Sequence, residues 1–133
     1  METLQRGANR GSVSTGYDVA NSVKLDDGNN STTVEFFERS VSSAGSRTTG
    51  TFSAWIKRTD IVLSQYLFTF GNVDNDNGRT FARFQTDGTL RVGGGTTTWL
   101  NTNRVFRDTS AWYHIVVAID TTSGTADNRI RVY

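Results

Sequence analysis

The segment from Trp112 to Asp120 constrains the fold most strongly, because it reads W-Y-H-I-V-V-A-I-D without a helix breaker or a turn residue. Side chains alternate between the two faces of a β-strand. One face would therefore carry Tyr, Ile, Val and Ile, and the other Trp, His, Val and Ala. Both sets are mostly apolar, which predicts the central strand of a sheet that is covered on both faces.

Shorter segments elsewhere in the 133-residue chain alternate in the same way. Glycine, asparagine and aspartate separate them, and these residues favour tight turns. The pair Asp87-Gly88 is a strong hairpin signal. The chain contains no proline, and few apolar residues recur at the spacing of a helix face. We therefore predict an all-β domain. The predicted strands include residues 22–25, 34–39, 51–58, 66–70, 80–85, 89–92 and 129–133.

Charge and composition exclude several classes of protein. Fourteen basic and thirteen acidic residues give a net charge of +1, which argues against nucleic acid as a partner. The longest apolar run, residues 115–119, is too short to insert into a membrane. The chain has no cysteine, so disulfides and cysteine-based zinc sites are excluded.

The two ends of the chain differ from its middle. Residues 1–16 are polar and show no strand period, which predicts an extended N-terminal arm. At the other end the strand pattern of residues 129–133 stops without a turn, so we expect the domain to be truncated there.

Three segments resemble concanavalin A-like, laminin-G-type domains of tailed-phage virion proteins. They are residues 17–25 (YDVANSVKL), residues 47–58 (RTTGTFSAWIKR) and residues 105–122 (VFRDTSAWYHIVVAIDTT). The second is similar to a T-F-S-x-W-[IV]-K-R strand and the third to an R-D-x-S-A-W-Y-H-[IV]-V strand of that group. The resemblance covers residues 17–133, and the order of the three motifs supports it more than any one of them alone.

This resemblance implies a two-sheet jelly-roll β-sandwich over residues 17–133 and a location in the virion. It implies a structural or attachment module of a tail fibre or particle surface, with other tail or capsid proteins as partners and a homotrimer as the assembly. Residues 1–16 would be the docking arm, with Leu4, Arg6, Arg10 and Val13 as its anchoring residues. The alternative function is a carbohydrate-binding module for a host-surface glycan.

The three tryptophans are the candidates for contact with a sugar. Trp55 and Trp112 lie inside strand motifs, and we favour a place in the sandwich core for both. Trp99 follows glycines and threonines in a loop-like setting, so it is the preferred candidate for a glycan-binding platform. His114, the only histidine, is interpreted as a packed, hydrogen-bonded side chain.

The sequence does not favour an enzyme. Glycoside hydrolysis needs two carboxyl groups that face each other across the scissile bond. Glu35 and Glu38 differ by three positions and would face opposite sides of a strand. The Gly-x-Ser-x-Gly motif of a serine nucleophile is also missing from the chain.

One segment could hold a metal ion. Residues 72–78 read N-V-D-N-D-N-G, and the oxygens of Asp74 and Asp76 are ligands that calcium prefers. The segment departs from the EF-hand pattern, and the same residues are ordinary in turns. A plain turn is the favoured interpretation and a calcium site the alternative; no other cofactor is predicted.

Overall fold

The structure is a computed structural model that describes residues 21–25, 35–46, 48–71 and 78–133. The chain divides into two units, residues 1–42 and residues 43–133. All seven described strands lie in the second unit, which confirms the prediction of an all-β domain. They are β1 (Thr49–Lys57), β2 (Gln65–Gly71), β3 (Arg79–Phe84), β4 (Thr89–Gly94), β5 (Thr97–Val105), β6 (Trp112–Asp120) and β7 (Ile130–Val132).

The strands form two antiparallel sheets. Sheet A has the order β1-β6-β7, and sheet B is the meander β2-β3-β4-β5. The segment Trp112–Asp120 is therefore the central strand of its sheet, as predicted from its sequence. It pairs with β1 along the whole length of both strands, from Thr49 opposite Asp120 to Lys57 opposite Trp112.

The predicted hairpin at Asp87-Gly88 connects β3 to β4. Gly88 has a φ of +85°, which only glycine adopts without strain. Asp87 stabilises the turn, since its Oδ1 accepts hydrogen bonds from the backbone N–H of Thr89 at 2.9 Å and from its hydroxyl at 2.7 Å. These bonds fix the register in which Phe84 lies opposite Leu90.

The core lies between the inner faces of the two sheets, an arrangement compatible with a β-sandwich. Its buried residues come from both sheets and from the segment after β5: Ala82, Phe84, Leu90, Val92, Phe106, Ile115 and Val117. Phe52 of β1 meets Phe68 of β2 across the interface, with ring centroids 4.8 Å apart. Burial of these alternating apolar residues is the main force that holds the sheets together.

Arg58 fills one end of this core and is only 2 % exposed. Its Nη1 donates to the carbonyl of Phe106 at 2.7 Å, and its Nε donates to Oε1 of Gln65 at 2.9 Å. The guanidinium lies 4.7 Å from the ring centroid of Phe84. Burial lowers the pKa of Arg58, and the negative charge of Asp60 partly offsets this effect. We call this region, defined by Arg58, Gln65, Phe84 and Phe106, the closed end.

Some predictions from the sequence were wrong. Residues 22–25 form no strand, nor do residues 35–39, the described part of the second predicted strand. The outer face of sheet A is exposed rather than covered: Trp55 is 62 % and Trp112 52 % exposed, so neither belongs to the core. Both are at outward positions of strands whose other face already fills the core.

Among the described residues, no helix is long and apolar enough to cross a membrane.

Candidate functional site

A β-bulge in β5 sets the position of Trp99. Thr98 pairs with Gly93 of β4 and Leu100 pairs with Val92, so Trp99 is the extra residue between two paired ones. A bulge re-aims the side chain of its extra residue. This explains how Trp99 lies beside the inward-facing Leu100, although strict alternation would place neighbouring residues on opposite faces.

The indole of Trp99 packs directly on the backbone of Gly94. A Cβ atom added to Gly94 would overlap Cζ2 of Trp99 and lie 2.5 Å from its Cη2. The absence of a side chain at this position therefore makes room for the ring. Gly94 is thus a point of close approach between the backbone of β4 and the indole ring. Trp99 remains 45 % exposed, so part of its ring surface is accessible to a ligand.

Trp99 lines a cleft of about 550 Å³ at the end of the sandwich opposite the closed end. We call this region the open end. Sheet B contributes one side of the cleft and sheet A, with the loop before β7, the other. The lining residues are Trp99, Leu100, Ile119, Thr121, Ala126, Asp127, Arg129 and Ile130. A cleft of this volume, mainly apolar with a few polar side chains, falls within the range of small-molecule sites.

Local hydrogen bonds hold the polar side of the cleft. The hydroxyl of Thr121 donates to the carbonyl of Thr48 at 3.1 Å, which ties the end of β6 to the start of β1. Nε of Arg129 donates to the carbonyl of Ser123 at 3.0 Å. Asp127 lies in a short 3-10 helix, Ala126–Asn128, where its carboxylate is exposed. The cleft thus combines an aromatic face with a hydroxyl, a guanidinium and a carboxylate.

The structure brings together only part of the predicted site. Trp99 is placed in the cleft, but its polar neighbours Thr121, Asp127 and Arg129 were not predicted. The sequence gives them no signal beyond a turn-rich loop, because their proximity to Trp99 depends on how the two sheets pack. The predicted metal ligands Asp74 and Asp76 lie outside the described residues, as do the predicted anchoring residues Leu4, Arg6, Arg10 and Val13.

The outer face of sheet A forms a second aromatic surface. The rings of Trp55 and His114 stack, with centroids 5.0 Å apart. Nε2 of His114 and the hydroxyl of Ser53 share a hydrogen bond of 3.0 Å. The prediction that His114 is packed and hydrogen-bonded is therefore confirmed, although its environment is the exposed face and not the core.

Within the described ranges, no group of three or more His, Cys, Asp and Glu side chains is placed to hold a metal ion. No family model, curated protein or solved structure matches this chain.

Proposed function

We propose that this protein is a non-catalytic carbohydrate-binding module, with the open-end cleft as its binding site. The observation that carries the proposal is the exposed ring surface of Trp99 beside Thr121, Asp127 and Arg129. An indole offers a broad apolar surface that suits the C–H face of a sugar ring. The three polar side chains supply donors and acceptors for sugar hydroxyls around that surface.

Three aspartates outside the cleft stabilise turns. Thr89 lowers the pKa of Asp87, Ser110 that of Asp108 and Thr122 that of Asp120, each by hydrogen bonds from its hydroxyl and backbone N–H. These three carboxylates act as ionised acceptors within their turns.

The resemblance to phage domains gives this proposal its biological setting. In that setting the fold is a jelly roll and the protein belongs to the virion, in a tail fibre or on the particle surface. Its partners would be other tail or capsid proteins, its assembly a homotrimer and its ligand a host-surface glycan. Residues 1–16 would act as the docking arm.

A structural attachment role is the second candidate function. The observation that favours it is the outer face of sheet A, where Trp55, Trp112 and Tyr133 are 62 %, 52 % and 66 % exposed. Exposed apolar surface of this kind often marks contact with another protein. Under this function the sheet face, together with the arm, would hold the module on its particle.

Substitution of the exposed tryptophans tests the proposal. The full chain would be screened on an array of bacterial surface glycans, and the best ligand measured by isothermal titration calorimetry. Trp99→Ala is expected to weaken binding by about tenfold or more, as for an aromatic anchor at the centre of a site. Trp112→Ala is the matched control, because it removes an indole of similar exposure from the other sheet.

Equal affinities of Trp99→Ala and the unmodified protein would contradict the proposal, as would an equal loss in both variants. If Trp112→Ala abolishes incorporation into particles while Trp99→Ala does not, the structural attachment role is favoured instead.

A further inference from the structure

The outer face of sheet B carries a cluster of arginines. Ala82 and Phe84 of β3 point into the core, so the alternating residues Arg79 and Arg83 lie on the opposite face. Arg91 of β4 lies on the same face, directly opposite Arg83 in the register of the two strands. We call the pair Arg83 and Arg91 the arginine face, with Arg79 as its neighbour on β3.

Two aromatic rings contact Arg83 and its neighbour Arg79. The guanidinium of Arg83 lies 5.3 Å from the ring centroid of Tyr66 and 5.2 Å from that of Phe81. Arg79 lies 5.7 Å and 5.6 Å from the same two centroids. In addition, Nη1 of Arg83 donates to the hydroxyl of Tyr66 at 2.7 Å. Cation–π contacts of this kind restrict long side chains before any ligand arrives.

Within its described strands, sheet B carries only positive charge. Its four strands contain Arg79, Arg83, Arg91 and Arg104 but neither aspartate nor glutamate. The Nε atoms of Arg83 and Arg91 are buried and have no hydrogen-bond partner among the described residues. Asp87 in the adjoining hairpin is the nearby carboxylate whose pKa Arg91 helps to lower, but its main partner is Thr89.

The pairing of Arg83 with Arg91 is unfavourable in the isolated sheet. Like charges directly opposite each other on antiparallel strands repel. Local arrangements that oppose stability are common at functional sites. An anion bound at Arg83 and Arg91 would offset this repulsion.

We propose that the arginine face binds the carboxylates of an acidic polysaccharide. A guanidinium presents parallel N–H donors that match a carboxylate. Thr89 and Asn101 lie on the same face and share a hydrogen bond of 3.1 Å, so neutral groups for sugar hydroxyls adjoin the arginines. The choice of a polysaccharide rests on the proposed function, and the arginine face adds a requirement for negative charge that the Trp99 cleft does not impose.

The test compares hexagalacturonate with its fully methyl-esterified form, in which a methyl group replaces the negative charge of each carboxylate. The full chain is expected to bind the acid more tightly than the ester, and this preference should shrink as salt is added. In Arg83→Gln and Arg91→Gln the affinity for the acid is expected to fall by about tenfold, with little change for the ester. Arg131→Gln, which removes an exposed positive charge from sheet A, is the matched control and should keep the preference.

Arg91→Gln is expected to fold at least as well as the unmodified chain, since it relieves the repulsion from Arg83. It therefore separates binding from folding if Arg83→Gln is unstable. Equal affinity for the two sugars, or an equal loss in Arg131→Gln, would overturn the inference and leave the Trp99 cleft intact. Failure of both sugars to bind would overturn it too, and if the glycan array also found no ligand, the proposed function would fail with it.

Discussion

The closed end and the open end of the sandwich lie between the same two sheets but differ in what fills them. At the closed end, Arg58 extends into the core and the carbonyl of Phe106 accepts its hydrogen bond. At the open end, Gly94 contributes no side chain, and Trp99 occupies part of the space while a cleft remains. The comparison shows how side-chain size differs at the two ends: a long buried arginine fills the closed end, whereas a glycine at the open end leaves room for an indole ring beside the cleft.

Among the substitutions that test this comparison, Arg58→Met should have the largest effect on stability. Methionine approximates the volume of arginine, but it leaves the carbonyl of Phe106 and the amide of Gln65 without their donor. We expect a loss of about 2 to 3 kcal/mol in the free energy of unfolding, measured by urea denaturation. Lys57→Met, at the neighbouring exposed position, should change it by less than about 0.5 kcal/mol. Similar losses in the two variants would mean that Arg58 does not hold the closed end together.

Gly94→Ala should add a methyl group to the space that the indole occupies at the open end. The new methyl group would overlap the indole of Trp99 and push the ring aside. We expect a loss of about 1 to 2 kcal/mol in unfolding free energy. This is at the low end of the cost of overpacking, because the half-exposed ring can rotate into solvent. Glycan binding should weaken along with it, as measured by calorimetry.

Gly124→Ala is the control for this prediction, because a Cβ there meets nothing within 4 Å. If Gly94→Ala bound the glycan as tightly as Gly124→Ala, the packing of Trp99 on Gly94 would not contribute to glycan binding.

Elements with a local sequence pattern could be predicted. The alternation in Trp112–Asp120 gave the central strand of sheet A, and Asp87-Gly88 gave the hairpin between β3 and β4. Both signals are local: side-chain period in the first case and turn chemistry in the second. Alternation does not reveal which face is covered when both are apolar. For this reason the prediction for Trp112 was wrong. Trp55 differs, because the polar residues Ser53 and Lys57 share its face of β1, so the alternation itself indicated an exposed position.

The open end was less predictable, because it depends on contacts distant in sequence. Trp99 and Arg129 are brought to one cleft by the packing of sheet B on sheet A. The bulge that turns Trp99 has no sequence signal stronger than the nearby glycines. Residues 93 and 94 continue β4, although the predicted strand covers only residues 89–92. Neighbouring strands and the indole ring compensate there for the low strand propensity of glycine.

The smallest expected effect is a change in the pKa of one aspartate. It compares two similar turns, one near each end of the sandwich. Asp120 at the end of β6 accepts hydrogen bonds from the hydroxyl and, at 3.0 Å, the backbone N–H of Thr122. Asp108 before β6 accepts the same pair from Ser110, at 2.6 Å and 2.8 Å. In both cases the side-chain hydrogen bond is the main cause of a pKa below the ordinary value of 3.8.

A lowered pKa means that the ionised carboxylate stabilises the folded state above the ordinary pKa of aspartate. This contribution is lost as the pH falls through the lowered pKa of the folded chain. Thr122→Ala removes the hydroxyl, so the pKa of Asp120 should rise toward its ordinary value while that of Asp108 stays low. Carbon-detected NMR titration of the side-chain carboxyls follows both groups in one sample, with Asp108 as the internal control. An unchanged pKa at Asp120, or an equal rise at Asp108, would show that the two turns do not act through their own hydroxyl groups.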